Sequence, residues 1–328
     1  MSFAFNKLLE KFSRLLSSEY NEICINEPRI IFLEKRGLWE KREEKELDFD
    51  FLNDFCIELA NKYNQRFNLK NPSLSCSIPN TRFRVQALHG SVTTNGSIAL
   101  SIRIPSDHKF NIDAFKKTSW EERTEGYFYQ SDKISIQEEV SNWNYQEFKK
   151  LVCAGKNILI SGGTASGKTS FLNSLLSEIP KDSRVITIED SQELQIQNEN
   201  RVQIIASKYD DGTSFTYKKA LNAVVRLRPD RVLLGELDTE NTYPFLRLSN
   251  TGHTGIISTI HANNPQGAIS AIISNINFER STPTQSILSL IEQSIDYIIQ
   301  LQKGENNQRL ITGILDVKKF IPRNRNMF

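Results

Sequence analysis

Residues 158 to 170 read Ile-Leu-Ile-Ser-Gly-Gly-Thr-Ala-Ser-Gly-Lys-Thr-Ser, and within them Gly162-x-x-x-x-Gly167-Lys168-Thr169 is a complete phosphate-binding loop pattern. The implied chemistry is capture of a polyphosphate. Such a group carries charge that must be met without side-chain bulk. Gly162, Gly163 and Gly167 let the loop through Thr164, Ala165 and Ser166 bend closely around it, with backbone N–H groups pointing inward. The helix that opens at Lys168, Thr169 and Ser170 adds the partial positive charge of its amino end. Lys168 supplies a point charge for the β- and γ-phosphates, and the Thr169 hydroxyl is placed for Mg2+. The expected ligands are therefore ATP and Mg2+.

A phosphate clamp also needs carboxylates, for the metal and for the attacking water. Ile186-Thr187-Ile188-Glu189-Asp190 ends an apolar run on two acids, where ligands bind in open parallel sheets. Val232-Leu233-Leu234-Gly235-Glu236 has the apolar run of a second such strand, but Gly235 stands where most phosphate-loop enzymes keep a metal-holding aspartate. Metal help then falls to Glu189 or Asp190, and Glu236 is the best candidate to polarise water. The residues leave open which of Glu189 and Glu236 is the activating base. Each carboxylate taken singly also suits a helix-capping role.

Thr251-Gly252-His253-Thr254-Gly255 and Thr259-Ile260-His261-Ala262-Asn263 bring two of the four histidines within eight positions around one strand-like run. That pair suggests a sensor of the γ-phosphate, whereas a lone histidine is more often structural. No cysteine and histidine spacing supports a metal centre. Arg226, Arg228 and Arg231 precede Glu236, and each suits a neighbour's phosphates or an ordinary ion pair equally.

Positioning these groups requires an alternation of strands and helices. Helix Tyr145–Ala154 leads into the phosphate-loop strand, and 184–189, 202–206, 231–235 and 255–261 are further strands separated by helical stretches, which implies a mainly parallel sheet covered on both faces. Ile287, Leu288, Ile291, Ile295, Ile298 and Ile299 recur as one late amphipathic helix, and the tail with Lys318, Lys319, Arg323 and Arg325 reads as a solvated end. Ahead of this region, residues 1–106 form an α+β domain. Its helices cover 5–17 and 49–67, and its mostly antiparallel strands include a hairpin at Lys35-Arg36-Gly37 and a pair joined by the turn dipeptide Asn95-Gly96. Residues 107–144 are a linker, broken by charges, and 145–328 form the nucleotide domain.

Composition agrees with this division and excludes other classes. A chain of 328 residues with 38% hydrophobic content supports two cores. A net charge of +2 makes no demand for nucleic acid, and no direct nucleic-acid binding is expected. The four cysteines have no paired spacing and suit buried apolar sites in a reducing cytosol. Neither a signal peptide nor a spanning segment is evident, so the expectation is a soluble protein with at most peripheral membrane association.

Taken together, Gly162–Thr169, the Ile186–Asp190 acids, Arg228-Pro229-Asp230-Arg231-x-x-x-Gly235-Glu236, and Gly252-His253-x-Gly255 with Thr259-x-His261-Ala262 resemble, in order and spacing, the secretion and traffic ATPases. The likeness is strongest to the type IV secretion branch, which also lacks the four-cysteine insert of many type II enzymes. The resemblance implies a RecA-like C-terminal domain and an ATP-hydrolysing motor for substrate export or pilus biogenesis. It further implies a homo-hexamer, peripheral at the cytoplasmic face of the bacterial inner membrane and working with other parts of a secretion machine. Arg103 and, less closely, Arg84 match the family's N-terminal arginines that reach the phosphates. One departure stands out: where the family continues Gly-Glu-Leu with Arg and, three residues later, Glu, this chain has Asp238 and Asn241. Either another local arrangement replaces an ion pair, or turnover is weakened. The alternatives kept are a type IV pilus or type II secretion ATPase, and a nucleotide-gated scaffold with little turnover.

Overall fold

The computed structural model describes residues 8–10, 12, 15–16, 19–35, 38–105, 116–117, 144–207, 215–250, 252–304 and 309–328. They fall into two compact units. The first holds the described residues up to 105 together with Asp190–Glu193, and the second holds the remainder.

The first unit is built on a six-stranded antiparallel sheet. Its strands are β1 (Glu22–Glu27), β2 (Ile30–Lys35), β3 (Leu38–Glu43), β4 (Ser73–Ser77), β5 (Arg84–Leu88) and β6 (Ala99–Arg103), in the order β3-β2-β1-β6-β5-β4. Alternation along β1, β5 and β6 sends Ile23, Ile25, Val85, Ala87, Leu100 and Ile102 to one face, all buried. Helix Phe49–Lys62 supplies Phe51, Leu52, Phe55 and Leu59 to the same core, and its first turn is capped by the Asp48 carboxylate, which accepts from the Phe51 N–H at 2.9 Å. The helix stops at Lys62 instead of reaching 67 because Asn64 turns left-handed, with φ 53°. The Asn95-Gly96 pair is not a two-residue hairpin turn. Only Gly96 takes positive φ, and the dipeptide sits in a longer loop in which Asn95 Oδ1 accepts from the Ser97 N–H at 3.1 Å. Leu8–Glu10 and Phe12 are helical, while Arg36 and Gly37 lie outside the described residues.

The second unit is an eight-stranded sheet of β7 (Lys116–Lys117), β8 (Ile158–Gly162), β9 (Val185–Glu189), β10 (Arg201–Ile205), β11 (Arg231–Leu234), β12 (Ile257–Ile260), β13 (Tyr297–Lys303) and β14 (Arg309–Asp316). The order is β10-β9-β11-β12-β8-β13-β14-β7, and β13 with β14 is the antiparallel pair among the described strands. β8, β9 and β12 are buried along their whole length, which is why they read as unbroken apolar runs. Apart from Lys116–Lys117 and Asn144, the linker expected at 107–144 lies outside the described residues.

Two expectations for the C-terminal part are corrected. The late helix ends at Ser294, and Ile298 and Ile299 belong to β13, buried between β8 and β14. The tail is not a solvated end. Helix Val317–Asn324 buries Val317, Phe320 and Ile321, while Lys318 pairs with Asp296, Lys319 with Asp316 and Arg325 with Glu292. The thiols also divide unevenly: Cys56 and Cys76 are buried, Cys24 is half-buried, and Cys153 is exposed.

Candidate nucleotide site

Parallel pairing delivers the functional groups to one edge of the sheet. β9, β11, β12 and β8 are consecutive neighbours running in the same direction. Their carboxyl ends carry Glu189, Gly235-Glu236, His261 and the phosphate loop in turn. This edge is where open α/β sheets hold ligands.

Two glycines of the loop are demanded by the fold. A Cβ on Gly162 would lie 2.4 Å from Ser166 Oγ and 2.6 Å from the Leu301 carbonyl oxygen. Gly167 takes φ +94°, and a Cβ there would lie 2.9 Å from Arg309 Cδ. At Gly163 a Cβ would meet nothing within 4 Å, so protein packing does not require that glycine. Ala165, with φ 59°, joins Gly167 in the left-handed region, the backbone alternation that turns successive N–H groups into an anion nest. Helix Lys168–Leu176 follows directly. Its N-cap, Gly167, contributes no side-chain acceptor to the first turn. Phe171, Leu172, Leu175 and Leu176 bury the other side of that helix and hold it rigidly behind the loop.

Lys168 is 9% exposed, and its ammonium donates to the carbonyls of Gly162 at 2.9 Å and Gly163 at 3.0 Å. It also reaches His261 Nδ1 at 3.2 Å. The far ring nitrogen, Nε2, is 2.7 Å from Glu236 Oε1. An ammonium can only donate, so Nδ1 accepts and the Nε2 proton points to the carboxylate. Lysine, imidazole and glutamate thus form one hydrogen-bonded chain along the carboxyl edge, with the His261 side chain about half exposed.

Glu189 is buried, 1% exposed, and is held by the Thr187 hydroxyl at 3.2 Å on Oε1 and by the Leu194 N–H at 2.7 Å on Oε2. The two strand ends lie together, the Gly235 N–H donating to the Ile188 carbonyl at 3.0 Å. Asp190 turns the other way and belongs to the first unit, where its carboxylate is ion-paired with Arg84. Arg84 and Arg103 face each other across the β5–β6 pair.

The two histidines are not brought together. His253 precedes β12 and His261 follows it, so a four-residue strand separates them, about 13 Å at the usual rise of ~3.3 Å per residue. His253 therefore lies at the amino edge of the sheet, away from the loop. Glycine-255 of the same segment has a packing role: a Cβ there would lie 2.5 Å from Arg231 Cδ. Arg231 is thus built into the sheet's amino edge and donates to the Thr254 carbonyl at 3.4 Å. Sequence reasoning missed Arg309, whose stem covers the loop, because it comes from β14, about 140 positions downstream in the chain but next-but-one to β8 in the sheet.

Asp238 and Asn241, where the chain departs from the family pattern, bond to one another. The Asp238 N–H donates to Asn241 Oδ1 at 3.0 Å, and Asp238 Oδ1 accepts from the Asn241 N–H at 3.2 Å. Another local arrangement therefore stands at these two positions.

Residues 130–317 match the family model described as type II/IV secretion system protein. That span is more than half of the chain. The chain belongs to the type II/IV secretion system protein family. Among its members, the type IV secretion system protein VirB11 of Bartonella quintana is 32% identical over 302 residues, covering 87% of this chain and 85% of the relative. PtlH of Bordetella pertussis, also a type IV secretion system protein, is 28% identical over 303 residues, covering 89% of each. Of solved structures, the ADP-bound pilus retraction motor PilT superposes with a TM-score of 0.63 at 18% identity, covering 99% of this chain and 87% of PilT. The ATPase DotB of Legionella pneumophila gives 0.63 at 15%, covering 98% and 85%. These two likenesses are of fold. Among the described residues, no helix is long and apolar enough to cross a membrane.

Proposed function

We propose that this member of the secretion ATPase family hydrolyses ATP to drive type IV secretion. The observation that carries the reading is the chain Lys168–His261–Glu236 set directly against the phosphate loop. The loop N–H groups and Lys168 hold the triphosphate, and charge on its oxygens is met by the amino end of helix Lys168–Leu176. The Thr169 hydroxyl with Glu189 would hold Mg2+, directly or through water, and the ion would supply positive charge to the phosphate oxygens. Glu189 suits that role because Thr187 and Leu194 fix its carboxylate at the strand end. Glu236 orients water and takes its proton, and His261 positions that carboxylate while sensing the γ-phosphate through its contact with Lys168. Arg103 and Arg84 are proposed to reach phosphates, as the family resemblance implies. The two arginines stand opposite one another on neighbouring strands, with the Arg84 guanidinium paired to Asp190 and Glu193.

The relatives' names favour type IV secretion over type II secretion; that the active form is a ring of six at the inner face of the membrane is proposed from the family resemblance. Phosphate release from Mg·ATP is the test. Wild type should turn over, and Glu236→Gln should keep nucleotide binding within about threefold while losing at least ~10²-fold in kcat. Equal kcat in both proteins removes Glu236 from the mechanism. The mass of the particle, measured with and without Mg·ATP, tests the ring; a monomer under both conditions refutes it.

A further inference from the structure

The loop after β11 closes on itself through one buried amide. Asn241 is 0% exposed. Its Nδ2 donates to the backbone carbonyl of Glu236 at 3.0 Å, and its Oδ1 accepts from the Asp238 N–H at 3.0 Å. Asp238 answers with its carboxylate, taking the N–H groups of Glu240 at 3.1 Å and Asn241 at 3.2 Å. On either side of Glu236 the backbone is tied to β12: the Gly235 carbonyl accepts from the Thr259 hydroxyl at 2.9 Å, and the Leu237 N–H donates to the Thr259 carbonyl at 2.7 Å. The Glu236 carbonyl itself, between these ties, is held by Asn241.

We propose that Asn241, locked by Asp238, is the positioning residue that sets the Glu236 carboxylate against His261. The reading rests on the catalytic role given to Glu236 above. Only a side chain with a donor and an acceptor on one short plane makes both bonds. Aspartate offers no donor to the Glu236 carbonyl, and alanine leaves that carbonyl and the Asp238 N–H both unmatched. Without Asn241 the peptide between Glu236 and Leu237 keeps only its Leu237 N–H tie to β12 and can tilt about it, and a displacement near 1 Å at a reacting group costs on the order of 10²-fold in rate. Asn241 reaches neither the phosphate loop nor Lys168 through any of these bonds, so ground-state nucleotide binding is untouched.

The test compares Asn241→Ala and Asn241→Asp with wild type, in full-length protein, by kcat for phosphate release and by direct binding of Mg·ATP to each variant. Each should lose ~10- to 100-fold in kcat and change nucleotide affinity less than about threefold. Combined with Glu236→Gln, Asn241→Ala should lower the residual rate less than about twofold, because the carboxylate it positions is already gone. Should Asn241→Ala not be recovered folded, Asp238→Ala, at a partly exposed position, carries the same comparison with the same expected pattern. An unchanged kcat overturns the proposal, as does an equal loss of affinity and rate, or a full further drop on the Glu236→Gln background. If Glu236→Gln alone turns over normally, the underlying role of Glu236 fails first, and that result is visible in the single variant.

Discussion

Glu236 and Lys168 lie on either side of one imidazole: His261 Nε2 is 2.7 Å from the Glu236 carboxylate, and Nδ1 is 3.2 Å from the Lys168 ammonium. A change at the phosphates therefore has a direct hydrogen-bonded route to the group proposed to activate water. The route is local to the carboxyl edge, since β8 and β12 are adjacent and parallel and bring Gly162 and His261 to the same end.

Cutting this link should uncouple binding from turnover. His261→Ala removes the partner of both groups but leaves the loop and its helix intact. Its kcat should fall ~10- to 100-fold while Mg·ATP affinity stays within about threefold. Steady-state phosphate release paired with calorimetric titration reads both quantities. Loss confined to affinity would show that His261 binds but does not position.

Gly167→Ala tests the loop from its protein side. The new Cβ must adopt a φ near +94° and would approach Arg309 Cδ to 2.9 Å, so either the loop or β14's first side chain must move. Left-handed strain alone costs ~1–2 kcal/mol. Nucleotide affinity should drop at least tenfold while the far-ultraviolet spectrum stays native. Arg309→Ala in the same background should recover part of the loss by removing the clash, and no recovery would mean that strain alone is responsible.

Asp296 gives a pH dependence that is independent of catalysis. Burial acts to raise its carboxyl, but the Lys318 hydrogen bond, the Asn157 N–H and the charges of Lys318 and Lys156 outweigh it and hold the group below the ordinary aspartate range. The folded protein then binds this proton less readily than the unfolded chain does. The stabilisation is complete above the unfolded value, ~3.9, and is lost as pH falls through the lower folded value. Asp296→Ala, which leaves the Asn157 N–H without its acceptor, should cost ~1–3 kcal/mol at pH 7. Urea unfolding should show that difference shrinking below about pH 4; a constant difference down to pH 2 would contradict the assignment.

Thiol labelling should separate the cysteines. Desolvation pushes the Cys56 thiol up to about 12 and raises Cys76 further, so neither supplies thiolate at neutral pH. Exposed Cys153 should react first with a maleimide under native conditions, and Cys56 and Cys76 only after unfolding. Mass mapping of the labelled peptides decides it, and early labelling at Cys56 would show that the first unit opens readily.

The loop Gly162–Thr169 and the strands ending at Glu189 and Glu236 were legible in the sequence because each couples an apolar run, buried on both faces, to a charged end. Other elements were hidden for specific reasons. Ile295, Ile298 and Ile299 continue a helical spacing begun at Ile287, yet β-branched residues beyond Ser294 pack between β8 and β14 as a strand. Four basic residues mask the tail, where Val317, Phe320 and Ile321 alone report the buried face. His253 looked paired with His261 although a strand was expected between them, because a strand carries its two flanks to opposite edges of the sheet instead of returning them to one site. The Asn241 clasp was not legible, since its partners are a backbone carbonyl and a backbone N–H, which no residue type announces.

Phosphate release from Mg·ATP by wild type and Lys168→Ala, with nucleotide binding followed in the same samples, bears most directly on the proposal that a triphosphate is held by this loop and acted on by the chain behind it. Removing the ammonium that joins Gly162, Gly163 and His261 should abolish turnover, a loss of ~10²- to 10³-fold or more. Equal phosphate release from both proteins would contradict it.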